Sequence, residues 1–136
     1  DCPICCLPLP PDRKTSTLMA CCSKTICEGC SYTNAKREIR ESLDQRCPFC
    51  RHLMPKTQED AVKDFIKRVE ANDPVALCEF GSRRLSEGDH ESALECWTKA
   101  VDLGDVDAHF ELSSFYRKGE CVQKDMKKVI YHAEQA

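Results

Sequence analysis

The pattern of apolar and polar residues divides the chain near residue 56. Large apolar residues are sparse before that point, and after it they recur at the spacing of amphipathic helices. Within 56–72, one apolar stripe and a capping box of Thr57 and Asp60 predict a connecting helix that ends before Asp73-Pro74. The stripe consists of Ala61, Val62, Phe65, Ile66 and Val69. We expect this face to pack against the helices that follow.

Residues 73–136 contain an internal repeat, in which Asp73-Pro74-Val75-Ala76 is echoed by Asp105-Val106-Asp107-Ala108. Its two copies predict two antiparallel helical hairpins. The predicted helices cover 74–86, 90–103 and 106–118, with a fourth from Asp125 onward. Their apolar positions are Ala76, Phe80, Leu85, Ala93, Leu94, Trp97, Ala100, Val101, Ala108, Leu112 and Tyr116. The alanines let neighbouring helices approach closely.

The first 56 residues give weaker signals of secondary structure. Residues 1–30 predict a loop, a hairpin beginning near Thr15, and a second loop in which Gly29 supplies a turn. A helix is predicted over 31–43 from one narrow apolar stripe. That stripe consists of Ala35, Ile39 and Leu43.

Cysteine is concentrated in this N-terminal stretch, which holds nine of the twelve cysteines in the chain. Eight of the nine form four pairs, and three pairs have the spacing Cys-x-x-Cys, which we call a knuckle. The pairs are Cys2/Cys5, Cys21/Cys22, Cys27/Cys30 and Cys47/Cys50. A two-residue gap lets both thiolates reach one tetrahedral metal ion at about 2.3 Å. The pattern predicts two bound Zn²⁺ ions.

Zinc also explains how a segment with so few apolar residues folds. Structural zinc contributes on the order of 10–16 kcal/mol of apparent folding free energy, so the metal replaces a hydrophobic core. Disulfides in a secreted protein are the alternative. No signal peptide is visible, however, and Cys-x-x-Cys pairs are too tightly spaced for typical disulfides. We therefore expect a reducing, cytoplasmic or nuclear setting.

Charge argues against a nucleic-acid partner. The formal net charge of the chain is −3. Residues 1–56 hold nine Lys or Arg against six Asp or Glu, an excess that zinc-bound thiolates would reverse. Lys36, Arg37 and Arg40 are interleaved with acidic residues, as on a solvated helix face. No membrane partner is predicted, because no run of about 18 apolar residues is present.

The remaining candidate residues favour structural roles. They are Cys78, Cys96 and Cys121, the histidines His52, His90, His109 and His132, and Trp97. Lone cysteines on helical repeats are usually small buried hydrophobes, and the tryptophan fits the repeat core. The histidines share no metal-ligand spacing. Since no free cysteine has an activating base nearby, no covalent catalytic residue is predicted.

The order of knuckle, pair, knuckle, helix and knuckle in residues 1–55 resembles the RING finger in its eight-cysteine form. The resemblance implies a small α+β domain with two cross-braced zinc sites. One site would comprise Cys2, Cys5, Cys27 and Cys30, and the other Cys21, Cys22, Cys47 and Cys50. Most RING fingers have a histidine where this chain has Lys24, so Cys21 completes the second set. Cys6 is the alternative ligand, and is otherwise a spare thiol.

The same resemblance implies a site for a partner. In ligase-active RING fingers, the apolar residue inside the first knuckle and the proline of the last form a groove for a ubiquitin-conjugating enzyme. An arginine after the final ligand holds ubiquitin against that enzyme, a role that suits its planar fork. Ile4, Pro48 and Arg51 match these three positions. Asn34 stands where many RING fingers place a tryptophan in the groove.

Residues 73–136 resemble the Sel-one-like repeat, a relative of the tetratricopeptide repeat. The matching residues are Trp97-Thr98-Lys99-Ala100 and Ala108, Leu112, Ser113 and Tyr116, whereas Arg84 stands where that pattern has tyrosine. The resemblance implies an all-α solenoid of helical hairpins, with 56–72 as its N-terminal cap. Because two repeats are fewer than a solenoid normally needs, we expect further repeats in the native chain.

Together the two resemblances imply a RING-type ubiquitin ligase that binds a ubiquitin-conjugating enzyme and ubiquitin. The RING would position the ubiquitin thioester without doing covalent chemistry itself, and the repeats would bind a protein substrate or partner. The alternative is a zinc-stabilised protein-interaction scaffold without ligase activity. Asn34 and the adjacent pair Cys21-Cys22 favour that alternative.

Overall fold

The computed structural model describes residues 1–10, 15–119 and 125–136. These residues form two compact units, 1–68 and 69–136. The described part contains a two-stranded antiparallel sheet and six helices. None of the helices in these residues is both long and apolar enough to cross a membrane.

The first unit is built on a hairpin followed by a helix. Strand β1 (Ser16–Met19) pairs antiparallel with β2 (Lys24–Cys27), which confirms the predicted hairpin. Helix α1 (Glu28–Arg40) follows directly, and the unit also holds most of helix α2 (Gln58–Glu70). The buried cluster of this unit consists of Cys2, Met19, Ile26 and Cys47. Two of these four side chains are thiols, so apolar packing contributes little to the interior.

Helix α1 differs from its prediction in position and in orientation. It covers 28–40 instead of 31–43, and Gly29 lies in its first turn without a left-handed φ, so the predicted turn is wrong. The predicted apolar stripe is wrong as well, because Ile39 is 66% exposed and Leu43 52%, whereas Glu38 is only 4% exposed. Glu38 faces inward because its carboxylate accepts a hydrogen bond from the backbone N–H of Arg46 at 3.2 Å.

Helix α2 confirms the predicted connecting helix between residues 56 and 72. The hydroxyl of Thr57 accepts the backbone N–H of Asp60 at 3.1 Å, as a capping residue does, and donates to the Asp60 carboxylate at 2.8 Å. Phe65 is the buried residue of the predicted stripe, while Val62 is exposed.

The second unit contains four helices whose bounds agree with the predictions to within one residue. They are α3 (Pro74–Ser86), α4 (His90–Asp102), α5 (Val106–Lys118) and α6 (Met126–Gln135). Each begins after an aspartate whose side chain accepts a backbone N–H of the first turn. These caps are Asp73, Asp89, Asp105 and Asp125. Gly88 and Gly104, with φ of 85° and 87°, provide the left-handed residues after α3 and α4.

Trp97 lies at the centre of this unit's core, as predicted, and is 0% exposed. Its Nε1–H donates to the carbonyl of Cys78 at 3.1 Å, and its ring meets Phe115 edge to face at 5.6 Å. Cys78 is itself buried, which confirms its structural role, and burial raises the pKa of its thiol. Arg84 lies 4.6 Å over the ring of Phe80.

The position of Trp97 predicts that Gly81→Ala destabilises the second unit. A Cβ at position 81 would lie 2.7 Å from Trp97 Nε1, which cannot move without losing its hydrogen bond to α3. We expect a loss of about 1–3 kcal/mol in the free energy of unfolding, although alanine has a helix propensity about 1 kcal/mol better than glycine. Chemical denaturation of the full chain measures the effect.

The matched control is Gly29→Ala, since a Cβ there meets nothing within 4 Å. That variant should be as stable as the wild type or slightly more stable. Equal stability of Gly81→Ala and the wild type would contradict the close approach of α3 to Trp97.

Candidate metal centres

The first knuckle is a tight loop closed by two backbone hydrogen bonds. The N–H of Cys2 donates to the carbonyl of Leu7 at 2.8 Å, and the N–H of Cys6 donates to the carbonyl of Cys2 at 2.9 Å. Cys6 has φ of 58°, which turns the chain back after Cys5. Both thiols of the pair therefore lie on one side of the loop.

The last knuckle repeats the same construction. The N–H of Cys47 donates to the carbonyl of His52 at 2.8 Å, and that of Arg51 donates to Cys47 at 3.0 Å. Arg51 has φ of 66°, a left-handed conformation that costs a non-glycine residue roughly 1–2 kcal/mol. The two knuckles therefore share one loop geometry, and they also share the sequence Cys-Pro-x-Cys with an apolar residue at x.

The structure brings the eight paired cysteines together in two groups of four. The first group is Cys2, Cys5, Cys27 and Cys30, and the second is Cys21, Cys22, Cys47 and Cys50. Within each group the sulfur atoms all lie within 4.8 Å of one another. The groups alternate along the chain, so each joins the hairpin region to a different segment. These are the two sets that the sequence predicted.

The sulfur separations fit a tetrahedral metal ion better than a disulfide. Measured pairs are 3.8 Å for Cys5–Cys27, 3.9 Å for Cys22–Cys47 and 3.4 Å for Cys21–Cys50. A metal ion with sulfur ligands at about 2.3 Å places those ligands about 3.8 Å apart. A disulfide needs about 2.05 Å. The two groups are therefore positioned to bind metal ions, and four thiolates are a donor set typical of structural zinc.

The pKa values of the thiols differ within the first group of cysteines. Burial of Cys2 raises the pKa of its thiol, but hydrogen bonds from backbone groups of Cys27, Cys5 and Ile4 outweigh burial and lower that pKa to about 6. A hydrogen bond with Cys27, followed by burial, raises the pKa of Cys30 to about 12.

The second group shows the same contrast. Burial raises the pKa of Cys22 to about 11 and also raises the pKa of Cys21. In Cys50 burial is outweighed by hydrogen bonds, first from the backbone of His52, and the pKa is lowered. A metal ion must therefore displace protons from the thiols with raised pKa values, so its affinity falls as pH decreases.

Neither Cys6, the alternative ligand, nor Lys24 belongs to the two groups of cysteines. Cys6 is exposed and lies outside both groups, whereas Cys21 lies inside the second. Lys24 carries its ammonium 5.9 Å above the ring of Phe49, in the last knuckle. It therefore makes a cation–π contact, as a residue that is not a metal ligand can.

An open apolar groove of about 510 Å³ lies beside the first group. Ile4, Leu7 and Pro48 are among the residues that line it, and α1 contributes Asn34 and Arg37. Ile4 is 42% exposed and Leu7 is 64% exposed. Two of the predicted partner-binding residues thus share one surface. Arg51, the third, is exposed and does not line the groove.

Asn34 and Glu38 hold the last knuckle to α1, a role that was not predicted from the sequence. Glu38 accepts the N–H of Arg46, and the amide of Asn34 donates to the carbonyl of the same residue at 3.1 Å. From the sequence, Asn34 is notable only because many RING fingers have a tryptophan at that position. The available signal was a polar pair four positions apart on one helix, which places both side chains on one face.

The histidines and remaining cysteines form no metal group among the described residues. Nδ1 of His109 lies 3.0 Å from Nδ1 of His132, and burial, followed by the charges of His109 and Lys128, lowers the pKa of His132. Cys96 is partly buried on α4, and Cys121 lies outside the described residues.

No protein-family model matches the chain, and no curated protein matches it. The geometry of the two groups and of the groove therefore carries the functional argument.

Metal content after purification under reducing conditions tests the two groups. We expect two zinc ions per chain, measured by elemental analysis. Cys21→Ser should lose the ion of the second group and give one zinc or fewer, because three thiolates remain. Cys6→Ser, the matched control with the same chemical change, should retain two. Loss of zinc in Cys6→Ser together with full zinc in Cys21→Ser would contradict the grouping.

Proposed function

We propose that residues 1–55 form a RING-type zinc finger and that the chain acts as a RING-type ubiquitin ligase. The first group of cysteines would hold one Zn²⁺ and the second group the other. Zinc in such sites is structural, so its contribution is to fix the knuckles and the groove between them. A reducing, intracellular setting keeps the thiolates available to the metal.

The groove beside the first group is the observation that carries this proposal. It combines exposed apolar side chains, Ile4 and Leu7, with the half-buried ring of Pro48. Exposed apolar surface of this kind marks a site for a protein partner. A ubiquitin-conjugating enzyme is the partner that the resemblance of the knuckles implies.

Arg51 is the residue proposed to act on ubiquitin. Its backbone is held on both sides, since its N–H donates to Cys47 and its carbonyl accepts from the guanidinium of Arg46 at 3.2 Å. Its own side chain is free to reach outward from a fixed point, because the residue is exposed and no described residue pairs with it. A guanidinium can donate to both partners at once. The ligase would then work by positioning the thioester, without a covalent step of its own.

The helices of the second unit are proposed to be Sel-one-like repeats that bind a protein substrate or partner. A cavity of about 150 Å³ lies against α4 and α5, with Trp97 and Phe115 in its wall and Glu111 and Lys118 at its edge. Within the described residues, Nδ1 of His90 is buried there without a hydrogen-bond partner. Such a mixed lining suits a peptide side chain.

Ubiquitin transfer in the presence of a panel of conjugating enzymes tests the ligase. Wild type should form ubiquitin chains with at least one of them. Ile4→Ala should weaken binding of that enzyme by on the order of tenfold or more, as expected for an apolar anchor. Leu43→Ala is the matched control, because Leu43 is equally apolar and 52% exposed but does not line the groove.

Arg51 should affect the reaction differently from Ile4. Arg51→Ala and Arg51→Lys should both lower the rate of ubiquitin discharge at saturating conjugating enzyme, since lysine lacks the planar fork. Alanine and lysine carry a Cβ as arginine does, so the left-handed φ of 66° should cost all three proteins about the same, and equal stability in chemical denaturation is the expected control. No activity with any conjugating enzyme, while two zinc ions are bound, would instead favour a protein-interaction scaffold.

A further inference from the structure

Arg46 is the point at which the last knuckle is attached to α1. Arg46 pairs with Leu53 in a short antiparallel bridge whose hydrogen bonds are made by the flanking residues: the N–H of Met54 donates to the carbonyl of Gln45, and the N–H of Cys47 donates to the carbonyl of His52. In such a bridge the N–H and carbonyl of the middle residue point away from the partner strand. Those of Arg46 therefore face outward and need partners elsewhere.

Two side chains of α1 provide these partners. Asn34 Nδ2 donates to the carbonyl of Arg46 at 3.1 Å, and Glu38 Oε2 accepts its N–H at 3.2 Å. The two residues are one helical turn apart, so their side chains lie on one face of α1. Together they satisfy the N–H and the carbonyl of Arg46, as the backbone of a neighbouring strand would. We call this pair of contacts the Arg46 clamp.

Glu38 is too deeply buried to be explained as a surface residue. It is 4% exposed, whereas the apolar Ile39 beside it is 66% exposed. A buried carboxylate costs free energy unless it is hydrogen-bonded, and a charge-assisted bond to a backbone N–H offsets that cost. The guanidinium of Arg37 lies 3.9 Å from its other oxygen. The buried carboxylate of Glu38 thus links α1 to the last knuckle through the N–H of Arg46.

The clamp connects two walls of the groove. Asn34 and Arg37 line it from α1, and Pro48, two residues after Arg46, lines it from the knuckle. The amide of Asn34 is fixed at both ends, because its Oδ1 accepts from Arg37 at 3.3 Å. Movement of Arg46 away from α1 would therefore carry Pro48 with it and widen the groove.

We propose that Asn34 and Glu38 are positioning residues that fix the last knuckle against α1 and so set the width of the partner groove. This inference rests on the proposed function for its biological meaning. The occupant is the ubiquitin-conjugating enzyme, and neither residue needs to touch the reacting atoms. Asn34, which stands where many RING fingers have a tryptophan, would then help to build the groove through its hydrogen bond to Arg46.

The test uses four variants of the full chain and the conjugating enzyme that wild type engages. Asn34→Asp is isosteric, but it replaces the amide N–H that donates to the Arg46 carbonyl by a carboxylate oxygen that cannot donate. Glu38→Ala removes the carboxylate that accepts the N–H of Arg46. Glu38→Gln keeps an acceptor and serves as the conservative rescue. Lys36→Ala is the matched control on α1, because Lys36 is exposed and outside the clamp.

The variants that break the clamp should weaken binding of the conjugating enzyme without lowering the rate of ubiquitin discharge at saturation. Asn34→Asp and Glu38→Ala should bind the conjugating enzyme roughly tenfold more weakly, the equivalent of about one lost hydrogen bond. Their zinc content should stay at two, and their discharge rate at saturation should stay near that of wild type. Glu38→Gln and Lys36→Ala should bind like wild type. Unchanged binding in Asn34→Asp and Glu38→Ala would overturn the inference.

Amide hydrogen exchange keeps this test separate from the ligase proposal. In the isolated protein, Glu38→Ala should speed exchange of the Arg46 amide by roughly threefold to tenfold, and Lys36→Ala should not. If wild type binds no conjugating enzyme, the ligase proposal fails and this measurement decides the clamp. Faster exchange at Arg46 then supports the positioning of the knuckle, and unchanged exchange overturns it.

Discussion

Contact among eight thiols is the constraint on which the N-terminal unit depends. Among its described residues, the buried cluster has only Met19 and Ile26 as apolar members beside the thiols of Cys2 and Cys47, while Ile39 and Leu43 lie exposed. Apolar burial on this scale stabilises a domain by only a few kcal/mol. Four-thiolate zinc sites would contribute several times as much. The hairpin, the two tight knuckles and α1 can then be understood as a frame that brings thiols to two points.

That frame explains how apolar residues can be spared for the surface. A metal-organised unit does not need Ile4, Leu7 and Pro48 for its interior, so these residues remain available for a surface groove. If the groove binds the proposed partner, it needs rigid walls, because a partner site that widens loses its contacts. The zinc ligands would fix one wall and the Arg46 clamp the other. In this account, the stability of the unit and its proposed recognition of a partner depend on different residues.

The helical part of the chain was predictable from sequence because its signals are local. Asp73, Asp89 and Asp105 cap the helices that they precede, and Gly88 and Gly104 end them, so bounds follow from short-range chemistry. Cysteine spacing likewise predicted four pairs and two metal ions, while the division into two groups of four was implied by the resemblance to the RING finger. The face of α1 was mispredicted, because an apolar stripe indicates burial only where the surroundings are apolar. Here the surroundings are the backbone of Arg46 and the thiols, which no periodicity in α1 reveals.

The most direct test of the central claim is hydrogen exchange along the full reduced chain before and after metal removal with a strong chelator. The account predicts that residues 16–56 lose their protection when the metal is removed, while residues 74–118 keep theirs, since the second unit has an apolar core around Trp97. Protection of residues 16–56 that persists without metal would contradict the claim that thiolate-bound ions take the place of a hydrophobic core.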